Sequence, residues 1–169
     1  RDEDLIHARD RHAAIAADWV AVPGNHDVGD EPLLGARQPA TPERVARWRR
    51  ILGHHGFVRD VPGWRIIGFD TQSLHAAPEQ WDALEEAVRG AGARRIALFQ
   101  HKPLCEERLA DTTRNYWPLL PEFRSRLLAL FGGGAPAVVA SGHVHQWRDR
   151  GVSDGIRQLW APPTSFIIG

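Results

Sequence analysis

Histidines stand where three short apolar runs of this 169-residue sequence stop. Trp19-Val20-Ala21-Val22 is halted by Pro23-Gly24 and followed by Asn25-His26-Asp27. Ile96-Ala97-Leu98-Phe99 leads to Gln100 and His101, and Ala137-Val138-Val139-Ala140 leads through Ser141-Gly142 to His143 and His145. Apolar runs of this length bounded by turn residues read as buried strands. Ligands of open α/β sheets gather beyond the carboxyl ends of the strands, so residues distant in sequence are expected to share one site there. Imidazole nitrogen together with carboxamide or carboxylate oxygen suits divalent zinc, manganese, iron, cobalt or nickel and matches an all-oxygen calcium cage poorly. In extended backbone His143 and His145 would point the same way, and a gentle turn would aim them at two neighbouring ions, with Gly142 allowing close backbone approach.

The elements that must hold these residues alternate along the chain. Leu5 to Ala16 reads as a helix, Trp19–Val22 as a buried strand, and Thr41-Pro42-Glu43 as the capped start of a helix running to about His54, ended by Gly53 or Gly56. Phe57–Val61 and Trp64–Thr71 read as a hairpin across Pro62-Gly63. Pro78–Val88 has helical spacing and precedes the strand Ile96–Phe99. A loop from about Cys105 to Leu120 leads to a helical pattern through Phe123, Leu127 and Phe131, closed by Gly132-Gly133-Gly134. After the strand Ala137–Ala140, Ile156–Trp160 and Ser165–Ile168 read as two more strands. Strands alternating with helices, plus a hairpin, predict one α/β layered domain over residues 1–169 with a mixed sheet.

Gly24-Asn25-His26-Asp27, the strand-end His101 and Gly142-His143-x-His145, in this order, resemble the later motifs of the calcineurin-like metallophosphoesterases. The resemblance implies two packed mixed β-sheets flanked by helices and two divalent ions. It makes Asn25, His101 and His143 ligands of one ion and His145 a ligand of the other. His26 becomes the acid that protonates a leaving alkoxide, with Asp27 orienting its ring. A hydroxide held by the metals would attack phosphorus in line, and the substrate would be a small phosphomonoester or phosphodiester, with cyclic-nucleotide phosphodiesterases as one branch of the resemblance. The family's earlier Asp-x-His and Gly-Asp-x-x-Asp motifs have no counterpart upstream of Gly24, so a domain lacking its N-terminal strands is expected. The sequence opens Arg1-Asp2-Glu3-Asp4 and contains no methionine, so its natural start is expected to have been cleaved off or to lie upstream. A non-catalytic remnant and a mononuclear metal-binding module are the alternatives.

Composition narrows the partners. The 21 basic and 21 acidic residues cancel, so no electrostatic footprint for duplex nucleic acid exists. No stretch approaches the roughly 18 apolar residues of a membrane helix. The single cysteine, Cys105, reads as a small buried hydrophobe and fits a reducing, cytoplasmic setting. Tyr116-Trp117 and Trp147, which follow the histidine-bearing turns, are expected at a substrate mouth, with Lys102 and Arg114 as phosphate clamps. The other tryptophans read as core. His7, His12, His54, His55 and His75 read as solvated side chains or helix-end partners, with His75 nearest the expected site.

Overall fold

The computed structural model describes residues 1–15 and 17–163, so the strand expected over Ser165–Ile168 lies outside the described residues. Helices α1 (Asp2–Ala13), α2 (Asn25–Val28) and α3 (Pro42–Leu52) come first, then strands β1 (Phe57–Val61) and β2 (Trp64–Gly68). Helix α4 (Gln80–Arg89), β3 (Arg95–Gln100), α5 (Pro121–Ala129), β4 (Val138–Ser141), β5 (Arg148–Ser153) and β6 (Ile156–Trp160) follow. The strands form one mixed sheet in the order β1-β2-β3-β4-β6-β5. Its inner strands β2, β3, β4 and β6 run parallel, while β1 and β5 are antiparallel edges.

Local chemistry explains most of these boundaries. Thr41 caps α3 by accepting from the Arg44 N–H at 3.4 Å, Pro42 takes the first helical position, and Gly53 ends the helix in the left-handed region at φ 80°. Helices α4 and α5 each connect parallel neighbours, β2 to β3 and β3 to β4, as crossover units. They cover one face of the sheet, where Ile67, Leu98, Val139 and Ile156 pack with Trp81, Leu84 and Leu127. Residues on the opposite face are less covered: Ile66, Val138 and Leu159 are half-buried and Phe99 is 42% exposed. A smaller cluster joins Leu5 of α1 and Val28 of α2 to Trp48 and Ile51 of α3.

Two expectations are corrected, and one strand went unpredicted. Among the described residues there is one sheet of six strands and no second sheet, because every strand-forming segment joins the same ladder. Trp19–Val22 is not a strand: among the described residues no strand pairs with it, and the Ala21 N–H donates to His54 Nε2 at 3.1 Å. Strand β5 went unread because Arg148–Ser153 is mostly polar and exposed, as an edge strand can be, and its pairing with β6 shifts register between Asp149 and Val152. Among the described residues, no helix is long and apolar enough to cross a membrane.

Candidate metal centre

Strand register brings two of the histidines together. Gln100 of β3 pairs with Ser141 of β4 in parallel, so His101 and the Gly142-His143 turn leave the same edge of the sheet side by side. The Gly142 N–H donates to the His101 carbonyl oxygen at 3.1 Å and locks the two exits together. Asn25 arrives from a different part of the fold. Val28, fully buried against α1 and α3, anchors its short helix, and Arg47 of α3 donates to the Asp27 carbonyl at 2.8 Å. Asp27 accepts from the Gly24 N–H at 2.8 Å, so its carboxylate closes the turn rather than bonding the His26 ring as expected. A Cβ on Gly24 would stand 2.7 Å from His101 Cε1; only glycine lets this turn lie against the imidazole. At Gly142 the corresponding distance is an ordinary 3.8 Å, so the close approach belongs to Gly24.

Three donor atoms meet there. His101 Nε2 lies 2.9 Å from Asn25 Oδ1 and 3.1 Å from His143 Nδ1. Neighbouring donors around a first-row divalent ion, with bonds of about 2.1 Å, stand about 3 Å apart when they subtend a right angle. Tyr116 orients two of the three. Its hydroxyl accepts from Asn25 Nδ2 at 2.9 Å, which turns the carboxamide oxygen toward His101. Its carbonyl oxygen accepts from His143 Nε2 at 3.3 Å, which leaves Nδ1 with its lone pair toward the same point. Tyr116 is itself pinned by its loop: Leu119 N–H bonds the Pro103 carbonyl at 2.8 Å, Trp117 N–H bonds Asn115 Oδ1 at 2.9 Å, and buried Arg124 donates to the Leu104 carbonyl at 3.1 Å.

Electrostatics favour neutral imidazoles. Burial, reinforced by the neighbouring His143, pushes the His101 pKa down to about 3. Burial and then the charge of Lys102 push that of His143 down to about 4. Both rings therefore hold unprotonated nitrogens at neutral pH, which is what metal ligation requires. Among the described residues no three His, Cys, Asp or Glu side chains gather as a metal cluster; the third donor here is a carboxamide. This donor set, with two oriented imidazoles and one oriented oxygen, fits a borderline divalent ion.

His143 and His145 do not lie in the extended backbone expected of them. Their φ angles are 62° and 60°, a region costly for residues with a Cβ and concentrated at functional sites. His145, half-buried, shares a cleft of about 490 Å³ with Asn25, exposed His26, Tyr116, Trp117 and His143. Tyr116 and Trp117 thus line the mouth as expected, with ring centroids 4.7 and 5.6 Å from His143. Trp147 does not line this cleft and is 69% exposed. Arg114 pairs with Glu122, and Lys102 is buried away from the cleft, so neither stands as a clamp within it.

The remaining histidines fall elsewhere. His12 bonds the Ala8 carbonyl within α1 at 2.8 Å, and His75 is exposed outside the cleft. His55, expected to be solvated or a helix-end partner, is buried, with Nε2 2.8 Å from Asp70 Oδ2 and 3.1 Å from Ser73 Oγ. The Ser73 hydroxyl also bonds Asp70 directly. A nucleophile relay needs imidazole between hydroxyl and carboxylate, each on its own ring nitrogen, so this cluster ties α3 to the end of β2 and is no triad.

No protein-family profile matches the chain, and no curated protein matches it. Among solved structures it is similar to a crystal structure described as "Putative 5'-Nucleotidase from Staphylococcus aureus in complex with alpha-ketoglutarate", with a TM-score of 0.49 and 14% identity. The match covers 95% of this chain and 34% of that one, so the chain spans about a third of that protein's length.

Three outcomes follow from this geometry. Tyr116→Phe removes the acceptor that orients Asn25 and should weaken zinc or manganese affinity about tenfold, read by calorimetric titration. His145→Val and His145→Asn both remove an imidazole, but a β-branched residue tolerates φ 60° far less well than asparagine, so the valine variant should be about 1–2 kcal/mol less stable in urea melts. The pH dependence has a fixed sign. With folded pKa values of about 3 and 4 against 6.5 unfolded, protons bind the unfolded chain preferentially. Stability of the metal-free protein should be full above pH 6.5 and fall as pH drops toward about 4 and then 3, and His101→Gln should flatten that fall in thermal melts across the window.

Proposed function

We propose that this chain carries the ligand cluster of a metal-dependent phosphoester hydrolase, in which Asn25, His101 and His143 hold one divalent ion and His145 addresses a second. The observation that supports this most is the meeting of Asn25 Oδ1, His101 Nε2 and His143 Nδ1 at 2.9 and 3.1 Å, with Tyr116 turning a lone pair of two of them toward the same point. When bound, the ion would supply Lewis acidity toward phosphoryl oxygen and water. Manganese, iron, zinc, cobalt and nickel all suit the donors.

The chain's own residues then divide the remaining work. His26 projects from the first turn of α2 into the cleft that His143 and His145 share, and it is exposed. An imidazole can carry a proton to a leaving oxygen, so His26 donates to the alkoxide oxygen as the ester bond breaks. Asp27 contributes indirectly by bonding the Gly24 N–H and fixing the turn that presents His26. Tyr116 and Trp117 wall the cleft beside the ligands, giving the organic part of a small ester an apolar surface and excluding water from it.

A narrower reading is favoured by one feature. Asn25, His101 and His143 meet directly, and three protein ligands can hold one ion. A mononuclear centre is the form these residues complete by themselves.

The test joins stoichiometry to turnover. After manganese loading and desalting, elemental analysis should give one tightly held ion per chain, lost in His143→Ala. Hydrolysis of aryl phosphate monoesters or diesters should require the ion and fall about a hundredfold in His26→Ala, with metal content unchanged. Failure to retain any ion, or hydrolysis indifferent to chelation, sinks the reading.

A further inference from the structure

The hydroxyl of Tyr116 accepts from Asn25 Nδ2 at 2.9 Å and still has its own proton to place. Asp30 stands beside it, and the two residues line a second cavity of about 360 Å³. Buried polar groups are almost always bonded, yet Asp30 Oδ1 has no partner, so an acceptor is left over where a donor is left over. Burial raises the pKa of the phenol, and Asp30 raises it further through its charge and by accepting from the hydroxyl. Glu31 lines the same cavity. One of its oxygens accepts from the Leu33 N–H at 3.1 Å, and the other, also without a partner, is the rival acceptor.

Backbone bonds hold Asp30 where it stands. Its N–H donates to the Gln38 carbonyl at 2.8 Å, and its carbonyl accepts from the Ala40 N–H at 2.7 Å. Asn25 opens α2 and Asp30 lies just past the end of the same helix, so the Tyr116 hydroxyl bridges the two. The direction of the bridge matters, because a hydroxyl can accept from a carboxamide nitrogen or donate to a carboxamide oxygen. A carboxylate only accepts. With Asp30 taking the proton, the hydroxyl meets Asn25 with a lone pair, holds Nδ2 and turns Oδ1 toward His101 Nε2 at 2.9 Å. Without Asp30 the proton is free to bond Oδ1. The amide can then turn over and face the imidazoles with its NH2 group, which only donates and offers a cation nothing.

We infer that Asp30 is a positioning residue: by accepting the Tyr116 hydroxyl proton it fixes which atom of the Asn25 carboxamide faces His101 and His143. Its consequence for metal affinity rests on the reading of these three residues as a cation site; the orientation of the amide does not.

Tyr116 is the single tyrosine of the chain, so protein made with tyrosine carrying carbon-13 at Cζ gives one NMR signal for this hydroxyl. In the metal-free protein at neutral pH that signal should move upfield in Asp30→Ala, as donation to a carboxylate is lost, and stay in place in Glu31→Gln. Asp30→Asn, close in shape and still carrying an acceptor oxygen, should move it part of the way and serves if the alanine variant fails to fold. A signal that no Asp30 variant moves, or that moves only in Glu31→Gln, overturns the inference. Calorimetric titration with zinc reads the consequence. Asp30→Ala should weaken binding about tenfold, and in a Tyr116→Phe background the same substitution should cost less than about twofold, since the hydroxyl through which it acts is gone. Losses that add in full give Asp30 another route to the ion and overturn the inference. Wild-type protein that takes up no zinc, beside a signal that responds to Asp30→Ala, overturns the metal-site reading alone.

Discussion

The parallel pairing of Gln100 with Ser141 is the contact on which the rest of the site depends. It makes β3 and β4 end level, so that the residue after one strand and the turn after the other meet at the same sheet edge. The backbone bond from Gly142 to the His101 carbonyl extends the ladder by one more rung past the strands themselves. A slip of one residue between β3 and β4 would carry Leu98 or Val139 off the covered face of the sheet, and the core that α4 and α5 build would not close. The hydrophobic pattern that specifies the core therefore specifies the histidine geometry as well.

Around this edge the fold spends conformational freedom in unusual ways. Two histidines separated by one residue sit in left-handed backbone, where side-chain-bearing residues are uncommon. Two buried imidazoles point nitrogens at each other and at a carboxamide oxygen, an arrangement that a single shared proton can serve only partly. A tyrosine from a loop far along the chain fixes the amide with its side chain and the ring tautomer with its backbone. A purely structural cluster would have no need of converging lone pairs, whereas a site that takes up a cation gains from having them arranged in advance.

Much of this was legible in the residues. Apolar runs ending at His101 and at Gly142-His143 announced β3 and β4, Thr41-Pro42 announced α3, and Pro62-Gly63 announced the β1–β2 turn. The run before Asn25 misled, because four apolar residues mark a strand only where a neighbour exists, and here the segment is tethered through His54 instead. Strand β5 left no apolar signature, since an edge strand can be polar on both faces. The second sheet implied by family resemblance has no counterpart among the described residues, although the half-covered face bearing Phe99 and Leu159 is apolar. At the site, the apolar runs before His101 and His143 placed these two histidines at one sheet edge, whereas the grouping of Asn25 with them as ligands came from the family resemblance. The anchoring role of Tyr116 and the burial of Lys102 and His55 were not legible, because these depend on contacts between residues as far apart as Asn25 and Tyr116 and carry no local pattern.

The central claim is that Asn25, His101 and His143 form one cation site. Anomalous diffraction from crystals grown with zinc, recorded on both sides of the zinc absorption edge, addresses it without recourse to catalysis. The account predicts a strong peak in coordinating contact with Asn25 Oδ1, His101 Nε2 and His143 Nδ1. Zinc bound only elsewhere, with these three atoms still bonded to one another as they are here, would contradict it.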